Sequence, residues 1–170
     1  MTFEIRELEA DDDWIFFHEL EFLSFITTVK DSDKFTEEEL RKKFKDFEEA
    51  DPLDPRDSSH KIFITWKNGT LRSGLIWLCN RDPFWRFKNK LIWIYNLHVL
   101  PEFRNQGLAK QLLLKAEDWC VEQKLDTLAL HVLDNNHPAR KLYEKMDYQL
   151  VETHNESCFY EKKLYVLDNI

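Results

Sequence analysis

The sequence predicts a mixed α/β fold, because segments with the two-residue period of strands alternate with segments of helical period along the 170 residues. Two further features support this reading. Asn68-Gly69, a strong short hairpin signal, joins two strand-like runs, and the almost wholly apolar run 91–99 is followed by a long helical pattern over 107–125.

Taken in order, residues 3–8 alternate as a half-buried strand, and Asp11 to Asp13 place three carboxylates where a helix would begin, from about Asp12 to Val29. Trp14, Phe17, Phe22, Phe25 and Ile26 are too many for a narrow apolar stripe, so this helix packs on a sheet and can also line a pocket. A second helix is announced by Thr36 and Glu39, the spacing of a capping box, with Phe35 and Leu40 as a hydrophobic staple. Residues 51–59, with two prolines and no periodicity, read as an exposed loop. Strands follow at 60–66 and 71–80, and a central strand covered on both faces at 91–99. The helix over 107–125 repeats Leu108, Leu112, Leu113, Ala116, Trp119 and Cys120 on one face. A strand at 127–133, a short helix at 136–146 opening on Asn136 and Pro138, and two last strands near 148–152 and 158–164 complete the set.

Hydrophobic residues make up 43% of the chain and aromatics 14%, enough to bury a core within one domain spanning 1–170. The formal net charge of −8 opposes general nucleic-acid binding, which needs clustered cations that outweigh their neighbours. Residues 81–90 are a local exception, basic and aromatic, and read as a substrate-side or subunit-contact loop. Cys79, Cys120 and Cys158 form neither a disulfide framework nor a zinc knuckle. His131 and His137 lack partners at metal-ligand spacing, so no metal is expected. With no basic start followed by an apolar run, and no segment of ~20 apolar residues, a cytoplasmic protein without membrane association is expected.

The segment 96–113 carries the most chemical information. A covered strand stops at Pro101, the chain turns, and Gly107, one of only three glycines, opens a long helix whose first N–H groups have no partner inside it. Such an end attracts anions, and Arg104 and Lys110 flank it with positive charge. Neither a nucleotide P-loop nor a dinucleotide fingerprint is present. The run V-x-P-x-x-R-x-x-G-x-A, here Val99, Pro101, Arg104, Gly107 and Ala109, resembles the acyl-CoA-binding segment of the GNAT superfamily of N-acetyltransferases. N-x-P-A-x-x-L-Y, here Asn136, Pro138, Ala139, Leu142 and Tyr143, resembles the second cofactor-side helix of that superfamily.

The resemblance implies a twisted mixed sheet of six or seven strands with helices on both faces, splayed near its middle. It implies acetyl-CoA as cosubstrate and an amine, small molecule or peptide, as acceptor. Backbone groups of Leu97, His98 and Val99 would pair with the pantetheine arm, and Asn136 and Ala139 would border it from the other side. The turn of Arg104, Asn105, Gln106, Gly107, Leu108, Ala109 and Lys110 would hold the diphosphate. Tyr143 would protonate the departing thiolate, since a phenol is a neutral donor at pH 7.

Many relatives carry a Glu or Asp before the diphosphate turn, where this chain has Tyr95 and Asn96. The general base is therefore unassigned, with two solutions open. The acceptor has a modest pKa, as a peptide amino terminus does, or water relayed through Asn96, His98 or a carboxylate of the first helix such as Glu21 takes the proton. An amine of pKa ~10.4 adds about 4.6 kcal/mol to the barrier at pH 7, an α-amine near 7.8 only about 1. Asp147-Tyr148 also departs from the Gly-aromatic pair common in relatives. The alternatives are a non-catalytic acyl-CoA sensor and a nucleic-acid module acting through 81–90, and a homodimer stays open.

Overall fold

The computed structural model describes residues 2–165, so the expected domain extent of 1–170 runs past them at both ends. Strand β1 (Phe3–Glu7) leads into α1 (Asp11–Ile26) and α2 (Glu37–Ala50). The hairpin β2 (His60–Lys67) and β3 (Leu71–Arg81) follows, and then β4 (Leu91–Val99), α3 (Leu108–Glu122), β5 (Thr127–Leu133), α4 (His137–Lys145), β6 (Gln149–His154) and β7 (Ser157–Lys163). The seven strands form one sheet in the order β1-β2-β3-β4-β5-β7-β6. Every neighbouring pair is antiparallel except β4 and β5, between which α3 makes the crossover.

Local chemistry accounts for the boundaries. Thr36 accepts from the Glu39 N–H at 3.1 Å while the Glu39 carboxylate accepts from the Thr36 N–H at 3.0 Å, the reciprocal cap expected from the sequence. Asn68 and Gly69 both take positive φ, 52° and 72°, so the β2–β3 turn has the handedness that matches strand twist. Helix α1 stops at Ile26 and not at Val29, because the Thr27 and Thr28 hydroxyls turn back to the carbonyls of Ser24 and Phe25 at 2.6 and 2.7 Å. Helix α3 ends at Glu122 in a Schellman turn. There the Leu125 and Lys124 N–H groups bond the carbonyls of Cys120 and Val121 with Lys124 at φ 59°.

Two cores share the sheet. On one face α3 buries Leu112, Leu113, Ala116, Trp119 and Cys120 over Ile76, Leu78, Ile92, Ile94 and Leu128, with Tyr143 of α4 in the same cluster. On the other, Phe17 and Leu20 of α1 pack on Ile62, Ile64, Leu75 and Trp77. Helices thus cover both faces. A third cluster, Phe87, Leu91, Trp93 and Ala129, lies where no helix reaches and is covered by residues 81–90, which fold back through a Phe84–Phe87 bridge. Gly74 stands opposite Val99, where a Cβ would come within 2.8 Å of the His98 carbonyl oxygen, so the end of β4 can seat this closely only against glycine.

Candidate active site

Beside β5, strand β4 is paired for only part of its length. The parallel register joins Ile92 to Leu128 and Trp93 to Ala129 and goes no further, so Ile94–Val99 and Leu130–Leu133 part into a wedge. The second irregularity is a bulge, because β3 pairs Trp77 with Asn96 but Leu78 with Ile94. One extra residue re-aims the side chains that follow. Tyr95 and Asn96 both turn to the α1 face, and the alternation then sends Leu97 and Val99 into the cluster under α3 and His98 back toward α1.

The residues expected on the cofactor side meet at the mouth of this wedge. Leu97, Val99, Ala139 and Tyr143 all belong to, or pack against, the cluster beneath α3 and α4. Arg104 donates from Nε to the Val99 carbonyl at 2.9 Å, which ties the turn to the strand end. Asn105 and Gly107 take positive φ, 62° and 78°, and the first bond of α3 runs from the Gln111 N–H to the Gly107 carbonyl at 3.1 Å. The N–H groups of Leu108, Ala109 and Lys110 are left without an intrahelical acceptor. A Cβ on Gly107 would meet nothing within 4 Å, so the backbone there faces open space. Arg104, Asn105, Gln106 and Lys110 are exposed around it. Unpaired amides facing open space beside two cations suit a diphosphate.

Asn136 caps α4, its side-chain oxygen accepting from the Ala139 N–H at 3.2 Å, and its amide nitrogen remains to bond elsewhere. Tyr143 is 7% exposed, and its hydroxyl has no partner among the described residues. Burial pushes its phenol well above the ordinary range, so it stays protonated at any working pH. Asp147 adopts φ 69° where a glycine would be unstrained, and the Schellman turn after α4 still forms, with the Tyr148 N–H on the Tyr143 carbonyl at 2.9 Å.

On the α1 side lies a polar chain made by the bulge. Asn96 Nδ2 donates to Glu21 Oε1 at 2.7 Å and to Ser24 Oγ at 3.0 Å, and Ser24 Oγ meets His98 Nδ1 at 2.9 Å. Glu21 and Ser24 are three apart on α1 and therefore share its sheet-facing side. Burial raises the Glu21 carboxyl to about 7, against the Asn96 hydrogen bond and with help from the Glu48 charge. Burial, reinforced by the Arg104 charge, lowers His98, so its imidazole is neutral at pH 7. Glu21 and His98 are surrounded by protein yet keep access to solvent, as groups lining a cleft do. Sequence reasoning named Glu21, Asn96 and His98 but missed Ser24, whose i, i+3 relation to Glu21 was the available signal.

The model of the acetyltransferase (GNAT) family matches residues 14–148. The chain belongs to that family. It is 30% identical over 152 residues, 88% of this chain and 94% of the other, to the uncharacterized N-acetyltransferase YdgE of Bacillus subtilis. The fold resembles the PaiA N-acetyltransferase of Thermoplasma acidophilum, solved in complex with coenzyme A, at 19% identity and a TM-score of 0.70 over 96% of this chain and 99% of that one. It also resembles Arabidopsis thaliana NAA60, solved with a bisubstrate analogue, at 16% identity and a TM-score of 0.63 over 96% and 98%. In this GNAT chain the expected sheet, helices on both faces and mid-sheet splay are all present. No helix among the described residues is long and apolar enough to cross a membrane. The described residues hold no cluster of three or more His, Cys, Asp or Glu that could bind a metal.

Proposed function

We propose that this GNAT chain transfers an acetyl group from acetyl-CoA to a primary amine by direct attack within a ternary complex. The observation that carries the reading is the wedge where β4 and β5 part, bordered by Tyr143 on one side and the Glu21–Asn96 pair on the other. When bound, acetyl-CoA supplies an activated thioester carbonyl. The residues fit it, since the edge of β4 from Leu97 through His98 to Val99 that β5 does not reach would take the pantetheine arm, Asn136 and Ala139 would border it, and the amides of Gly107 to Lys110 with Arg104 would hold the diphosphate.

Glu21, ionised above its pKa of about 7, takes a proton from the acceptor ammonium directly or through water, and Asn96 fixes the carboxylate that does so. Ser24 and neutral His98 hold Asn96 in that orientation. Proton transfer to a base of this strength costs about 1 kcal/mol from an α-amine near 7.8 and about 4.6 kcal/mol from an amine of pKa ~10.4, so acceptors of modest pKa are favoured. Tyr143, kept protonated by burial, donates to the leaving sulfur.

The test is thiol release and product mass from acetyl-CoA with a panel of peptides, polyamines, amino acids and simple amines. Wild-type protein is expected to turn over, and Tyr143→Phe to lose about 10²-fold in kcat while its CoA affinity, read by calorimetry, stays within about twofold. A protein that binds CoA and releases no thiol with any acceptor would be the non-catalytic sensor instead. Absence of CoA binding would end both readings.

A further inference from the structure

The acceptor side of the sheet carries a cation that the proposed transfer does not use. Arg81 ends β3 on the α1 face, opposite Leu91 and next to Trp93. Its guanidinium carbon lies 3.5 Å from the centroid of the Phe84 ring and 5.5 Å from that of Trp93. At such a distance the planar group sits over the ring, and its N–H edge stays open for a partner. Arg81 is half-buried and makes no ion pair or hydrogen bond among the described residues. Asp82, its neighbour in sequence, faces Lys90 at 3.7 Å instead. A partly desolvated cation without a counter-ion is costly unless something else supplies the charge.

The surroundings define what that partner would be. Arg81 lies beside Trp93, the last residue of β4 paired with β5, and Trp93 stacks on His131, so the guanidinium lies near the base of the wedge. Tyr95 stacks on His60 at 5.7 Å and packs on Trp77 at 4.7 Å, and His131 stacks on Trp93 at 5.9 Å and borders Phe159 at 5.6 Å. His131 is surrounded by protein but exposed, another mark of a groove. Asp51 is the carboxylate whose charge reaches Tyr95 from the loop after α2. The residue after Tyr95 is Asn96, which holds Glu21, so the cation, the aromatic wall and the base line a single face.

We propose that Arg81 binds a carboxylate of the acceptor, and that the preferred substrate is a small amine carrying both a carboxylate and a flat apolar group, as an aromatic amino acid does. The planar fork of Arg81 takes the carboxylate in two parallel hydrogen bonds, the rings of Tyr95 and His131 take the apolar group, and the amine points toward Asn96 and Glu21. This inference rests on the transferase reading above and narrows it.

Matched acceptors test it: phenylalanine against phenethylamine and tyrosine against tyramine, with spermidine as a cationic competitor, on wild type, Arg81→Gln and Arg81→Lys. Wild type is expected to favour each amino acid over its decarboxylated partner by about 10- to 100-fold in kcat/KM. Both variants should lose that margin through KM while phenethylamine and tyramine react as before. Calorimetry should also show that phenylalanine binding to the CoA-loaded protein disappears in Arg81→Gln. Equal losses on both members of a pair, or a wild-type preference for spermidine or the decarboxylated amines, would overturn the assignment of Arg81 and leave the transferase reading intact. If no amine is acetylated and CoA does not bind, the transferase reading fails and this one with it.

Discussion

Glu21 shows how one residue's surroundings decide its chemistry. A carboxyl raised to about 7 by burial is a base matched to neutral pH, so kcat/KM should rise with pH through about 7 on its acid limb. Glu21→Gln should remove that limb and lower kcat by about 10² or more, with CoA affinity unchanged. The sign for stability is opposite. Because the folded carboxyl keeps its proton up to about 7 and the unfolded one releases it near its ordinary value of 4.5, the native state loses stability as pH rises between the two. Glu21→Gln is therefore expected to be more stable than wild type at pH 8 by about 1–2 kcal/mol, a figure reduced for the solvent the cleft admits, and equal to it near pH 4.5, as urea unfolding at the two pH values would read. Asp13 is the reverse case. Burial opposes its charge, but the N–H groups of Glu9 and Ala10 at 2.9 and 3.0 Å and Arg72 at 2.9 Å outweigh it and lower the pKa. Asp13→Ala removes a helix cap and strands a cation, and should cost about 2–4 kcal/mol in denaturant unfolding.

Among the elements, the end of β4 and the turns after the helices are the places where backbone geometry rules. Gly74→Ala would press a methyl against the backbone of His98 and Val99. It should cost about 1–3 kcal/mol and, by moving the strand that borders the wedge, weaken CoA binding as well. Lys124 closes α3 in a conformation that glycine adopts without strain, so Lys124→Gly should gain up to about 1 kcal/mol with no change in activity, measured by thermal unfolding and thiol release. The sequence displayed these elements through the Thr36–Glu39 cap, the Asn68-Gly69 turn and the Leu108 to Cys120 face. It did not display the early stop of α1, since Thr27 and Thr28 can either continue a helix or bond back to its carbonyls, and only the built turn shows which.

At the scale of the molecule, the wedge is a site whose strand edges lack partners. CoA at about 100 times its Kd should stabilise the fold by about 2.7 kcal/mol and raise Tm by roughly 5–10 °C for a chain of this size, which differential scanning calorimetry would record. A shift absent at saturating CoA would argue that the wedge does not bind the cofactor. By itself the sequence determined the order and type of the elements, the sheet's mixed character and the turn at Gly107 that opens α3. Those features depend on periodicity, caps and glycine, which act over a few residues. Only the tertiary structure decided that β4 bulges between Ile94 and Asn96, that Glu21 and Ser24 meet Asn96 and His98, and that Arg81 lies on an aromatic wall with no ion pair among the described residues. Each of these joins residues far apart in the chain, and their burial, partners and charge exist only once the sheet and α1 have packed together.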